Sequence, residues 1–460
     1  MNNDKEMLGR EPVGKLLVKL AIPTVVAQLI NMLYNIVDRV YIGHMPGGNS
    51  DLALTGVGVC LPLIMIVAAF ACFVMAGSAP KASIFMGRKD LDSAEKIVGG
   101  SFTIQIIISL TLTAILLIFN RPLLMLFGAS ENTIEYGVKY MNIYAIGTLF
   151  VELTLGMNAF ITAQGFTKTS MLSVLIGAII NIALDPIFIF ALNMGVEGAA
   201  LATVLSQLCS TIWVLWFLFF SKRTILRLKP KNFFVSPRLM LPCMALGLST
   251  FVMQSSESII IVCFNSSLQK YGGDVAVGAM TIISSLMQFA MLPLQGITQG
   301  AQPISSYNYG AKNSKRVKEC FRLLLIVCLC YSTILWITVM AAPSIYAHMF
   351  TSKPELIEYS IKPLRVYFAV MLIFGAQTAC QMTFVSIGYA LTSIIVAVVR
   401  KFVLLLPLIY IMPLIMSNNP TMGVYAAEPI ADIIAVTFTV ITFSIVFKRA
   451  LKRIDTEIAE

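Results

Sequence analysis

The sequence predicts an all-α polytopic membrane protein with twelve transmembrane helices in two pseudo-symmetric six-helix lobes. Three observations predict this fold class. The 460 residues are 58% hydrophobic and only 12% charged, whereas soluble domains are about a quarter charged. The apolar residues form blocks long enough to cross a bilayer core of about 30 Å, and motifs of the first half recur in the second. This pattern excludes a soluble enzyme, a nucleic-acid-binding domain and a disordered regulator.

Charged residues, Pro, Gly and Asn divide the apolar sequence into the candidate spans. In chain order, these are 16–43, 53–80, 96–120, 133–161, 167–192, 196–221, 239–268, 276–305, 317–345, 358–383, 391–416 and 423–447. Each block is apolar over at least the length that a helix needs to cross the bilayer.

The positions of Lys and Arg predict the orientation of the spans. With the N-terminus inside, most positive residues outside the spans fall in inner connections, notably 221–238 and 448–453. The outer connections hold only Arg121, Lys270, Lys353 and Lys362. Cytoplasmic loops carry such an excess of positive residues. We therefore expect a multi-pass protein of the plasma membrane with cytoplasmic N- and C-termini.

The longest polar connection lies near the middle of the chain and predicts its division into lobes. The sequence GSAP at 77–80 recurs as GAQP at 300–303. Two copies with an even number of spans share one orientation, and such repeats are typical of transporters. We expect an N-lobe of residues 1–220, a cytoplasmic linker of residues 221–238 and a C-lobe of residues 239–460.

Polar side chains inside the spans recur at helical spacing and therefore share helix faces. The residues with this spacing are Gln28, Asn31, Asn35 and Asp38 in the first span, and Asn181 and Asp185 in the fifth. Interhelical hydrogen bonds, worth about 0.6 kcal/mol each, explain the amides well. They explain the two acids poorly, because a carboxylate at membrane depth costs about 2.5–3.5 kcal/mol on insertion scales.

The acids lie at similar depths in their spans. Asp38 and Asp185 precede the outer ends by roughly five to seven residues, and Thr203 follows the outer start of the sixth span by about seven. We expect Asp38, Asn181, Asp185 and Thr203 to form one oxygen-rich site for a proton or a hard cation such as Na⁺. The structural alternatives are a capped kink at Asp185-Pro186 and an Asp38 side chain that reaches the interface.

Several segments resemble the multidrug and toxic compound extrusion (MATE) family, and more closely its bacterial exporters of the staphylococcal multidrug-efflux type. They are LAIP at 20–23, VDRVYIG at 37–43, GSAPKASIFMGRKD at 77–90, NIALDPIFIF at 181–190, GVEGAALAT at 195–203 and SSYNYGAKN at 305–313. The resemblance implies two lobes around a central cavity that opens alternately to each side. It also implies export of bulky, often cationic organic compounds in exchange for H⁺ or Na⁺.

The resemblance also implies roles for individual residues. The family's N-lobe cation site matches Asp38, Asn181, Asp185 and Thr203, and the proline that bends its first helix matches Pro23. Some relatives couple through the C-lobe, and Glu257 matches their seventh-helix glutamate. Their tenth-helix aspartate has no counterpart, since region 374–383 contains no acid. This departure favours the N-lobe site.

Further polar residues are candidates for lining the cavity: Gln28, Asn31, Asn35, Glu152, Glu257, Gln288 and Arg400. Arg400 and Lys401 are expected to form structural ion pairs with Glu257 or Asp432. Glu152 is expected to line the inner half of the cavity or to pair with a neighbour.

Two other functions are weighed against export. A lipid-linked oligosaccharide flippase of the same superfamily would hold anionic head groups with cavity arginines, whereas the N-lobe faces carry acids and amides. A membrane-embedded transferase or protease would need a nucleophile or metal motif, and the sequence has no H-E-x-x-H or Cys–His spacing. We expect a monomeric transporter, not an enzyme, that binds small organic substrates and no nucleic acid. Its only cofactor would be the coupling ion.

Overall fold

The computed structural model describes residues 7–45 and 50–459, and the regular structure in these ranges is helical. The α-helices are α1 (Met7–Arg10), α2 (Val13–Gly43), α3 (Ser50–Gly87), α4 (Leu91–Leu126), α5 (Ile134–Ala163), α6 (Thr167–Pro186), α7 (Gly195–Phe220), α8 (Pro237–Gly310), α9 (Ser314–Ala341), α10 (Pro343–Phe350), α11 (Pro354–Tyr367), α12 (Met371–Ser386), α13 (Ala390–Val398), α14 (Leu406–Ile415) and α15 (Pro420–Ala459). Ile187–Ala191 and Val399–Leu405 are π-helical, and Pro230–Asn232 is a 3₁₀ turn.

The helices confirm the predicted polytopic fold with two lobes. In the described residues, 10 helices are long and apolar enough to cross a membrane, and α11 with α12 forms a further span bent by 52°. α8 has 74 residues, far more than one span of about 20 residues requires. Gly273 interrupts α8 with φ 65° and ψ −161°, a conformation open to glycine. α8 therefore supplies the predicted seventh and eighth spans.

The ninth and tenth spans differ in detail from their predicted ranges. The range 317–345 passes through Ala342, where α9 ends and α10 begins at Pro343. Proline has no backbone N–H and cannot continue the hydrogen-bond ladder of α9. The range 358–383 is broken between Tyr367 and Met371, where α11 ends and α12 starts.

The two lobes meet where α2 and α3 pack against α8. Glycines allow the backbones to approach closely there. A Cβ atom at Gly77 would lie 1.8 Å from the carbonyl oxygen of Cys243, and one at Gly310 would lie 1.9 Å from that of Ile84. The interface is therefore sterically intolerant of side chains at these glycines.

The contacts between lobes lie toward the face that holds both ends of the described chain. The Asn308 amide donates to the Leu8 carbonyl at 3.0 Å, and Leu451 belongs to the same buried cluster as Val317. Cross-lobe hydrogen bonds extend from this face to Gln28, whose amide donates to Gln299 at 3.1 Å. The lobes are thus closed together at this face.

The predicted linker packs firmly on the N-lobe. The Gln164 side-chain oxygen accepts hydrogen bonds from the backbone of Ile225 and Leu226 at 2.6 and 3.0 Å. Glu95 accepts from the Lys229 ammonium group at 2.5 Å. These contacts hold the connection against α4 and α5 as it leads into α8.

Candidate cation site and central cavity

The end of α6 places a buried acid beside a buried amide. Asp185 and Asn181 share one face of α6 because they are four residues apart, and both side chains are buried. The Asn181 Nδ2 donates to Asp185 Oδ1 at 3.4 Å. Pro186 follows directly, and the backbone continues as the π-helical segment Ile187–Ala191. Proline removes one helical donor here, so the change in helix type occurs where the ladder is already interrupted.

Two neighbouring helices complete this pocket with hydroxyl groups. Thr203 of α7 accepts a hydrogen bond from Asn181 Nδ2 at 3.5 Å. The buried Tyr140 of α5 interacts with the Thr203 side chain. Gly198 lets α7 approach the segment after α6, since a Cβ there would lie 2.9 Å from the Phe188 backbone.

Asp38 brings α2 to the same pocket. α2 packs against α6, and the carboxyl group of Asp38 interacts electrostatically with that of Asp185. Three buried oxygen atoms here have no hydrogen-bond donor: Asp38 Oδ1, Asn181 Oδ1 and Asp185 Oδ2. A proton or an oxygen-seeking cation would satisfy them. The four residues predicted from sequence therefore form one cluster, which we call the acid pocket.

Pro23 lies close to the point where α2 crosses the C-lobe. The helix continues through Pro23 without a break in this conformation. The neighbouring Thr24 hydroxyl donates to the Gly296 carbonyl of α8 at 2.5 Å. It also lies 2.9 Å from the Ala21 carbonyl. Pro23 is the proline inside α2. It therefore lies next to a contact between the lobes.

The remaining cavity candidates divide into accessible and buried residues. Asn35 and Gln288 are exposed, and Glu257 keeps 48% of its side chain accessible. Exposed polar groups inside spans face water, because contact with lipid is costly. Gln28 bridges the lobes, and Asn31 is half-buried. Asn35, Gln288 and Glu257 are thus the accessible members of the set that was expected to line a cavity.

Arg400 and Glu152 are buried and do not line the cavity in this conformation. Both are at most 5% exposed. Arg400 Nε donates to Asp432 Oδ1 at 2.8 Å, and its Nη2 donates to Glu428 at 3.1 Å. Lys401 Nζ donates to Glu257 at 2.6 Å. The expected ion pairs are therefore present in the C-lobe.

Sequence reasoning missed two participants in these networks. Glu428 lies four residues before Asp432 and faces the same arginine, a spacing visible in the sequence. Tyr140 lies four residues before Tyr144 on α5, and both are buried. The π-helical segment Val399–Leu405 contains Arg400 and Lys401, which are adjacent in sequence but pair with different acids.

A two-lobed bundle of apolar helices with buried acids and amides inside one lobe is typical of a polytopic membrane transporter. The family model described as MatE matches residues 23–187 and 248–411. The chain therefore belongs to the MATE family, whose members are transporters and not enzymes. The model matches once in each half, in agreement with the predicted repeat.

Curated relatives and solved structures agree with this assignment. The chain is 25% identical over 364 residues to multidrug export protein MepA of Staphylococcus haemolyticus, with 79% of each chain covered. It is 23% identical over 407 residues to MepA of Staphylococcus aureus, with 88% of each covered. The crystal structure of a MATE protein in the bent conformation matches with a TM-score of 0.91 and 22% identity, covering 98% of this chain and 99% of that one. An outward-facing multidrug resistance MATE transporter matches with a TM-score of 0.90 and 22% identity, covering 97% and 98%.

Proposed function

We propose that this protein exports bulky, often cationic organic compounds across the plasma membrane in exchange for H⁺ or Na⁺, acting as a monomer. The observation that carries the proposal is the acid pocket, where two carboxyl groups and an amide direct three unpartnered oxygen atoms into a buried space. The naming of the relatives as multidrug export proteins supports the substrate class. The acids of the pocket disfavour the flippase alternative, which requires groups that hold anions.

Binding of a cation at the acid pocket changes the contacts of α2. The added charge reduces the repulsion between Asp38 and Asp185 and competes for the Asn181 hydrogen bond. Asp38 lies on α2, which also contacts the C-lobe through Thr24 and Gly296. When α2 shifts by bending at Pro23, ion binding alters the contact between the lobes. Alternating access follows when that contact opens and the cavity closes on the other side.

The orientation follows from the positive residues. They concentrate at the face where the lobes are closed, so we assign this face to the cytoplasm. The cavity then opens outward, which is the state that releases substrate and takes up the coupling ion.

The energetics are sufficient for export. One H⁺ moving down about 100 mV supplies about 2.3 kcal/mol, and one pH unit adds about 1.4 kcal/mol. A tenfold substrate gradient costs about 1.4 kcal/mol. For a monovalent cation exchanged one for one with H⁺ or Na⁺, the voltage contribution cancels. The pH or Na⁺ gradient then drives export.

The test is the variant Asp185→Asn in liposomes, with ΔpH and ΔNa⁺ imposed separately and ethidium as the substrate. We expect ion-driven export to fall at least tenfold, because an amide at this position neither releases a proton nor attracts a cation. Glu135→Gln is the control, since Glu135 is an exposed residue of α5 that pairs with Arg121. Undiminished export by Asp185→Asn under both gradients would refute the assigned role.

A further inference from the structure

A buried carboxyl group outside the acid pocket has no compensating partner. Glu152 of α5 has no accessible surface, and neither of its carboxyl oxygens has a hydrogen-bond partner. Within the described residues, no ion pair involves Glu152. An ionised carboxylate in this environment would cost several kcal/mol. A protonated, neutral carboxyl group avoids this cost.

Polar side chains recur along α5 between Glu152 and the acid pocket, each turned by about 40° from the one before, and we call this stripe the polar face of α5. Tyr140, Tyr144, Thr148 and Glu152 follow one another at intervals of four residues, so each lies about 6 Å from the next along the helix. All are buried. The rings of Tyr140 and Tyr144 stack with their centroids 6.2 Å apart. This face spans about 18 Å of the N-lobe interior.

The titratable groups along this face interact with each other. At the outer end, Tyr140 interacts with the Thr203 side chain and electrostatically with Asp38. At the inner end, Glu152 interacts electrostatically with Tyr144 of its own helix and with Cys72 of α3. Each of these groups is neutral or acidic. Carboxyl groups that can hold a proton therefore lie at both ends of the face.

The inner end of the face lies beside the contact between lobes. Cys72 Sγ accepts a hydrogen bond from the Gln254 amide of α8 at 3.4 Å, and Gln254 is exposed. One turn beyond Glu152, Gly156 is covered by the Gln105 side chain, whose amide nitrogen and oxygen also have no partner. Glu152 and Gln105 thus place four unpartnered polar atoms close together. Protons or buried water would satisfy such atoms.

We propose that Glu152 is a second proton-binding residue and that the polar face of α5 conducts a proton between Glu152 and the acid pocket. The inference rests on the proposed ion-coupled export and specifies it, because it requires H⁺ as the coupling ion. When the O–H bond of Glu152 breaks, its proton passes to a hydroxyl or bound water on the face. That group gives up its own proton toward Asp38 or Asp185, where a new O–H bond forms, and the reverse sequence reprotonates Glu152.

The direct test is a pH-jump infrared difference measurement on the purified protein in lipid. The wild type should show the carbonyl band of a protonated carboxyl group that exchanges with the medium. In Glu152→Gln, this part of the band should be lost, while Glu135→Gln should retain it. Ethidium fluorescence polarisation and the melting temperature establish that each variant is folded. A Glu152→Gln spectrum identical to that of the wild type would overturn the proposal.

The connection is tested by Tyr144→Phe, which removes one hydroxyl and keeps the ring. We expect the Glu152 band to remain and its exchange after the pH jump to slow at least tenfold. An unchanged exchange rate would exclude conduction along α5. These results are independent of the transport assay. If Asp185→Asn abolishes ethidium export and Glu152→Gln leaves the infrared band intact, the proposed function stands and this inference fails.

Discussion

The buried acids of this protein differ in what compensates their charge. Asp185 receives only a long hydrogen bond from Asn181 at 3.4 Å, and Glu152 receives none. Asp432, by contrast, faces Arg400 at 2.8 Å. A carboxyl group with a fixed guanidinium partner stays ionised and structural. One without a partner changes its protonation or binds a cation, so the N-lobe acids are suited to coupling and Asp432 to stability.

At the residue scale, we predict that Arg400→Gln strongly destabilises the protein. The change leaves the buried acids Glu428 and Asp432 without their partner, and breaking a buried pair costs about 3–5 kcal/mol. Thermal unfolding in detergent should show a clear drop in melting temperature. Arg121→Gln breaks the exposed pair with Glu135 and should cost about 0–1 kcal/mol. Equal effects of the two changes would contradict the structural role of Arg400.

Close glycine packing and irregular helical turns occur in different helices of this protein. Glycines let α3 and α8 pack closely. The backbone of each helix there contacts the backbone of the other directly. π-helical turns follow Asp185 and contain Arg400 and Lys401. Such turns often occur at functional sites, because they reorient side chains within a continuous helix.

At the element scale, we predict that Gly77→Ala disrupts the packing of α3 against α8. The new methyl group would lie 1.8 Å from the Cys243 carbonyl oxygen and 2.6 Å from the Gly247 nitrogen. The helices must separate to accommodate it, which lowers both the melting temperature and ethidium export. Gly58→Ala in α3 is the matched control, since its methyl group would meet nothing within 4 Å. A melting temperature for Gly77→Ala as high as that of Gly58→Ala would refute this account.

The two lobes of the whole molecule are closed together at the face that holds both described ends. Residues from the N-terminal segment contribute to the closure. The Arg316 guanidinium group of the C-lobe donates to the carbonyl oxygens of Leu8 and Glu11 at 3.1 and 2.7 Å. The alternating access that we propose would require these bonds and the glycine contacts to break. The N-terminal segment is thus part of the inner closure.

At the scale of the whole molecule, we predict that Arg316→Ala loosens the closed face. The loss of hydrogen bonds to two backbone carbonyls should increase hydrogen–deuterium exchange in the segment around α1 and the start of α2. Lys315→Ala is the control, because Lys315 is the adjacent exposed cation. If both variants exchange at the wild-type rate, Arg316 does not hold this face closed.

Much of the fold follows from local properties of the sequence. Apolar blocks of span length predict helices because the bilayer leaves no other way to satisfy the backbone. The ends of the helices are harder to predict. α9 ends before Pro343 although the sequence stays apolar, because proline cannot continue the hydrogen-bond ladder. The cost of buried acids and the agreement of depths along the spans predict Asp38, Asn181, Asp185 and Thr203 as one site, and the role of this site in coupling stays a prediction.

The sequence by itself determined the class of fold, the internal repeat and the members of the acid pocket, since each depends on spacing along one helix or on the cost of charge in lipid. Only the tertiary structure decided which acids have partners. Glu152 and Glu257 are both glutamates in apolar spans, yet one is fully buried without a partner and the other pairs with Lys401 at the cavity. The partner of a buried acid comes from a neighbouring helix. Spacing along one helix does not reveal which side chains that neighbour places beside the acid.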